Sequence, residues 1–341
     1  MHRQRFSASI TFIPWNYQRS SEEVAELFAS RHPGFSLCIH GCDHTHGEFA
    51  STDVNLLRQK AQIARERMHA HQRLLGVPCA GVMVFPQGLF SLEAMAALKA
   101  SGYLTAVNTA LCPSTMNQAL DVRDLLDVAV TKFEGFPMFG RRYPKDVAGF
   151  ALDLFLGKPA LAVEHHGYFR DGYNALETFV KKVNSLDERL EWTNLETICS
   201  RACLTKTDEN GDVYVRLYTN HFWLTNEGTQ TRRYVLLSRQ SPDGPSPTVT
   251  INGCGLNYER EGGDVKIRLS LDAGQTAEIA ILLSGLDCAG FSRPQTAFHN
   301  VRVWVRRILC EFRDNYVDTN WILSAVIPKT RRVRSRRAGR N

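Results

Sequence analysis

The chain has 341 residues, 43% hydrophobic and 22% charged, an ordinary globular composition with room for more than one core. Seven basic residues within 329–340 account for more than the whole net charge of +6, so the remainder presents no basic body to nucleic acid. No apolar run is long enough to span a bilayer and Pro14 interrupts any leader-like stretch. The nine cysteines follow no zinc-ribbon or disulfide spacing, so buried thiols in a reducing, cytoplasmic setting are expected.

In chain order, Ser9 to Pro14 is β-branched and apolar, a strand closed by proline. Ser20 or Ser21 caps a helix over 22–30, with Glu22 and Glu23 in its first turn, and Pro33-Gly34 breaks it. Phe35 to Ile39 is a strand-length apolar run ending directly in His40. Strand, helix, strand implies a βαβ unit and a parallel sheet. Thr52 caps a long helix to Leu75, stopped by Gly76-Val77-Pro78. The strand from Gly81 to Phe85 ends in Pro86-Gln87-Gly88, Ser91 caps a helix to Ala100, and a strand follows near Leu104 to Val107.

Leu125 to Thr131 reads as another strand. The stretch 133–144 is rich in glycine, proline and aromatics. Phe133, Phe136, Phe139 and Tyr143 either plug the end of the sheet or offer flat faces to a sugar. A helix is predicted over 145–157, then a strand from Ala160 to Val163 ending in Glu164-His165-His166, and a helix over 174–186. Past 204–210 the helical period gives way to short apolar runs separated by Asn210-Gly211, Asp243-Gly244, Asn252-Gly253 and Gly262-Gly263, the pattern of a β-sandwich. Phe298 to Tyr316 returns to helical period, with Val301, Trp304, Val305, Ile308, Leu309 and Phe312 on one stripe and the arginines largely off it. That helix packs on the body or lies on a membrane surface, and the basic tail beyond it is solvated or touches phosphates or anionic lipid. The predicted organisation is therefore an α/β domain over 1–205, an all-β sandwich over 206–290, a helical segment over 291–328 and a basic tail over 329–341.

The chemistry concentrates at His40, Asp43, His44 and His46. Imidazoles at the mouth of a strand can converge on one metal ion, because neutral histidine is the commonest transition-metal ligand. Two solvated or hydrogen-bonded loop histidines give the same spacing. The order of these segments resembles the polysaccharide deacetylase (NodB-homology) family of carbohydrate esterases over roughly residues 8–200. His40-Gly41-Cys42-Asp43-His44 resembles the family's His-(Ser/Thr)-x-x-His motif, with Gly41 in place of the hydroxyl residue. Phe85-Pro86-Gln87-Gly88 is a partial match to its Arg-x-Pro-x-Gly-like motif, without the arginine, and Ala162-Val163-Glu164-His165-His166 approximates its Leu-x-His strand end.

The resemblance implies a (β/α) barrel and a divalent metal, zinc above all, held by His40 and His44. It implies hydrolysis of N- or O-acetyl groups on a polysaccharide, with His165 or His166 as the acid and Pro86, Gln87 and Gly88 shaping the groove. The family's two aspartates sit in a Thr-Phe-Asp-Asp-like first strand, whereas Ser9 to Pro14 carries no carboxylate. The sequence is therefore read as a barrel incomplete at its N-terminus, with Asp43 the candidate substitute as ligand or base and reduced activity expected. Two rivals stay open. One is a non-catalytic carbohydrate-binding relative. The other is a barrel amidohydrolase using the His44-Thr45-His46 pair.

Overall fold

The computed structural model describes residues 6–31, 34–114, 120–170, 172–240, 246–261, 263–283 and 297–312. They fall into two compact units, 1–291 and 292–341. The first begins with a parallel sheet in strict chain order: β1 (Ala8–Phe12), β2 (Phe35–His40), β3 (Cys79–Val84), β4 (Thr105–Asn108) and β5 (Met138–Gly140). Every pairing in it is parallel. Parallel neighbours need crossovers, and α1 (Glu22–Arg31), α2 (Val54–Leu75) and α3 (Leu92–Ala100) supply the first three.

Strand parity divides the apolar side chains between two cores. Leu37, Ile39, Met83, Ala106 and Met138 pack with α2 and α3 on one face. Cys38, Val82, Val84, Val107 and Phe139 pack on the other, with Cys199, Leu195 and Ile198 of α7 (Leu195–Arg201) and with Tyr218. Burial on both faces is why these strands read as continuous apolar runs rather than alternating ones. Among the described residues the sheet does not close into a barrel. β1 forms one edge, and beyond β5 a single parallel bridge joins Arg142 to Ala162.

Several local expectations change. The cap of α2 is Asp53 rather than Thr52, its carboxylate accepting the amides of Asn55 and Leu56, and Gly76 ends the helix at φ +70°. The apolar run from Leu125 is not a strand. Asp121 and Asp124 form a capping box that starts α4 (Val122–Leu126), leaving only Val130 to bridge to Met138. The aromatic loop contains a strand, β5. Phe133, Phe136 and Phe139 are fully buried while Tyr143 is exposed, so three of the four rings are core. The predicted strand from Ala160 is reduced to one bridge. Helices α5 (Ala148–Phe155) and α6 (Asn174–Asn184) lie close to the predicted spans.

The sandwich starts at β6 (Cys203–Thr207), so a boundary at 206 would cut its first strand. There follow β7 (Val213–Leu217), β8 (His221–Thr225), β9 (Arg232–Arg239), β10 (Pro247–Ile251), β11 (Cys254–Gly255), β12 (Glu259–Glu261), β13 (Asp264–Leu271) and β14 (Thr276–Leu283). One sheet runs β11-β10-β14-β8 and the other β12-β13-β9-β7-β6, around a core that includes Val215, Leu236, Ile267 and Ile279. Asn252 and Gly253 turn β10 into β11 with both φ angles positive, at +50° and +77°. The 243–244 turn and Gly262 lie outside the described residues.

The sandwich is anchored to the parallel sheet at Asp127. Arg216 Nη2 lies 2.9 Å from its carboxylate, the Tyr218 hydroxyl donates to it, and the Arg216 guanidinium stacks 5.1 Å over the Tyr218 ring. The two predicted domains therefore form one compact unit. The second unit contains α8 (Ala297–Phe312), which exposes Phe298, Val301, Trp304, Val305, Ile308 and Leu309. The tail over 329–341 lies outside the described residues. No described helix is long and apolar enough to cross a membrane.

Candidate functional site

Parallel strands all point the same way, so their carboxyl ends share one rim. On this rim stand His40 at the end of β2, the Phe85–Gly88 turn after β3, Asn108 and Thr109 at the end of β4, and Arg141 to Tyr143 after β5. His40 Nδ1 is 2.9 Å from the Val84 carbonyl oxygen. A carbonyl only accepts, so Nδ1 carries the proton and Nε2 keeps its lone pair. The His44 ring lies beside it, centroids 4.9 Å apart and planes inclined by 53°.

The loop that presents His44 is fixed from inside. The buried Glu48 carboxylate accepts the backbone amides of Cys42 (2.9 Å), Asp43 (3.0 Å) and His44 (3.1 Å), with Lys60 Nζ 3.7 Å away. This cradle holds His44 at φ +56°, a left-handed conformation that costs a non-glycine residue energy unless its surroundings determine it. It also accounts for Gly41, at φ +65°. A Cβ there would lie 2.0 Å from Glu48 Oε1 and 2.5 Å from Pro86 Cγ, so the Ser or Thr of the motif it resembles has no room.

Burial above all pushes the His40 pKa down to about 4. His44 adds to this, and Arg141 and His165 add smaller repulsions, against the opposing hydrogen bond to Val84. At neutral pH the ring is therefore an uncharged donor of a lone pair. His165 is exposed, its Nε2 3.3 Å from the Tyr143 hydroxyl and the two rings 6.1 Å apart. The side chain of His166 lies outside the described residues. Arg141 is partly buried, donating Nε–H to Thr109 Oγ1 at 3.3 Å and its peptide N–H to the Asn108 carbonyl at 3.1 Å. Asn108 in turn donates to the carbonyls of Gly88 (3.0 Å) and Ala110 (2.9 Å), tying two rim turns together.

Asp43, the expected substitute for the family's aspartates, is buried and paired. Its side chain has no solvent exposure, and Oδ1 is 2.6 Å from Arg67 Nη1 on α2. Arg67 also lies 4.9 Å over the Trp15 ring. This buried ion pair ties the loop to α2. Pro86 packs against Gly41, and Gln87 Oε1 accepts the Gly47 amide at 3.3 Å, so this turn braces the histidine loop. His46 is exposed. Among the described residues no three His, Cys, Asp or Glu side chains gather as a ligand set, so the fit to a metal is that of two imidazoles.

Sequence reasoning missed Glu48 and Arg141. Glu48 lies four residues past His44, and Arg141 follows a three-residue strand that composition hid. The only signal was the unbroken polar run Arg141-Arg142-Tyr143 directly after an apolar patch.

No protein-family model and no curated protein matches the chain. Among solved structures, a GH127 β-L-arabinofuranosidase from Geobacillus stearothermophilus T6 is similar at 17% identity, covering 23% of this chain and 16% of its own, with a TM-score of 0.19. A protein from Bacteroides fragilis NCTC 9343, named as a candidate α-galactosidase, is 10% identical over 77% of this chain and 65% of its own, at 0.26. A protein from Bacillus halodurans C-125, named as a candidate α-N-acetylgalactosaminidase, is 11% identical over 79% and 80%, at 0.24. The chain thus spans about a sixth of the first of these and about two thirds of the second. At such TM-scores the likenesses establish neither fold nor function.

Proposed function

We propose that this chain is a deacetylase-like carbohydrate esterase, built on an open form of the (β/α) barrel, whose rim histidines hold a divalent metal such as zinc. One observation carries the reading. His40 donates through Nδ1 to the Val84 carbonyl, so Nε2 is aimed and unprotonated, beside a second imidazole, at the carboxyl end of a parallel sheet. Metal-ligating histidines almost always fix their second nitrogen in this way. When bound, a divalent metal supplies Lewis acidity and a water of lowered pKa.

The chain's own residues account for the rest of the reading. His40 and His44 bind through ring nitrogens, and the Val84 carbonyl and the Glu48 cradle orient them. In this reading His165, at hydrogen-bond distance from Tyr143, hands a proton to the leaving amine or alkoxide. Pro86 and Gln87 keep the loop in register with β3.

Asp43 is engaged by Arg67, and this favours a second reading, in which the site binds acetylated polysaccharide and turns it over slowly or not at all. The test is metal content and acetate release from acetylated chito-oligosaccharide for the wild type, His40→Ala and His44→Ala. The esterase reading predicts metal in the wild type, its loss in both variants, and acetate release that falls with it. Equal metal in all three removes the site. Metal and sugar binding without acetate release leaves the binding protein.

A further inference from the structure

Two consecutive arginines follow β5, and the structure treats them differently. Arg142 is satisfied by Asp153, with Nε 2.6 Å from Oδ2 and Nη2 2.9 Å from Oδ1. Arg141 points to the other side of the chain. Its Nε is occupied by the neutral Thr109 hydroxyl, and no carboxylate pairs with it among the described residues. It is nevertheless partly buried, and it lies near enough to His40 to depress that ring's basicity. A guanidinium keeps its charge at any pH a protein meets, and charges withdrawn from water are normally paired.

Among the described residues no rim carboxylate forms an ion pair with it. Its other polar side chains include three histidines and Tyr143, and its nearby acids are engaged elsewhere, Asp43 by Arg67, Glu48 by three backbone amides and Glu164 by the His165 amide at 3.2 Å. With Nε held by Thr109, the terminal Nη1 and Nη2 form an end-on fork, the geometry that receives two oxygens of one anion.

We propose that Arg141 is an anion clamp and that this site takes an acidic saccharide, one bearing a carboxylate or a sulfate ester beside the group presented to the histidines. This deepens the carbohydrate reading above and rests on it for the saccharide. The anion itself rests on Arg141 alone. Thr109 is the positioning residue, since its hydroxyl fixes the plane of the guanidinium. Asn108 is the support behind it, its carbonyl accepting the Arg141 amide at 3.1 Å.

The experiment is calorimetric titration of the full chain with three oligosaccharides of equal length: a uronic acid oligomer, a sulfated oligomer and a neutral N-acetylated chito-oligosaccharide. The wild type should bind one of the acidic oligomers about tenfold or more tighter than the neutral one, the worth of one or two charge-assisted hydrogen bonds. Which acidic arm wins names the anion. Arg141→Met should bring the preference close to one. Arg141→Lys, which keeps the charge and loses the fork, should retain only part of it, as should Thr109→Val. Equal affinity of the wild type for neutral and acidic oligomers overturns the proposal without any variant, as does an undiminished preference in folded Arg141→Lys. Loss of metal or of acetate release would count against the esterase reading and leave the charge preference standing. Equal binding of all three oligomers, with acetate released, would do the reverse.

Discussion

The parallel sheet and the sandwich are built from similar apolar strands, and they distribute polar side chains in opposite ways. In the sheet, β2, β4 and β5 deliver His40, Asn108 and Arg141 to one rim because all strands run in one direction. In the sandwich, strands of both directions scatter their ends, and the polar side chains spread over the outer faces as separate pairs. His221 and Glu278 meet at 2.7 Å and Arg233 and Asp212 at 2.6 Å, each pair partly exposed to solvent. A rim concentrates charge and withdraws it from water, whereas an outer face leaves each pair hydrated. The same distance therefore carries different energy in the two places, and substitutions can measure how different.

The largest effect is expected inside the rim loop. Glu48→Ala strands three buried amides and should lower unfolding free energy by about 4 kcal/mol, read from urea midpoints. Next is acid. In the metal-free protein the folded pKa of His40, about 4, lies below its ordinary 6.5, so the unfolded chain binds the proton first. That contribution is complete above the ordinary value and is lost as pH falls through the folded one, by at most about 3 kcal/mol. His40→Gln should flatten this part of the pH–stability curve, and an unchanged curve would show that the ring is solvated.

Asp43→Asn should cost about 2 kcal/mol by weakening the buried pair with Arg67, with activity per folded molecule unchanged. A selective loss of turnover at intact stability would restore Asp43 as a base. At the junction of the two regions, Tyr218→Phe removes one hydroxyl from Asp127 and should cost about 1 kcal/mol. The smallest effect belongs to the sandwich surface, where His221→Ala should stay within about 0.5 kcal/mol. A cost there as large as that of Asp43→Asn would erase the contrast between rim and face.

The sequence made the rim legible where one strand carries the information. Phe35 to Ile39 ending in His40 is an apolar run meeting a polar residue, and it forms the predicted strand. The pairing of Asp43 was not legible, because its partner Arg67 is 24 positions away on a helix. β5 was hidden because three residues suffice when both neighbouring layers bury them, which leaves Met138 and Phe139 no room for a visible alternation. Leu125 and Leu126 looked like strand by composition, and a local acid pair at Asp121 and Asp124 outweighed it. The sandwich was legible because each turn carries its own local chemistry.

Glu48 occupies the volume that a side chain at position 41 would have taken, and it organises the loop's amides from the interior. The scaffold of the two imidazoles is thus written in residues that no ligand touches. The outward positions of the same loop, such as His46, are left with no share in holding the shape. Variation there can retune what the rim greets while the imidazoles stay where they are. A collection of variants randomised at 46, with 41, 48 and 87 kept, would retain one ring geometry across many specificities.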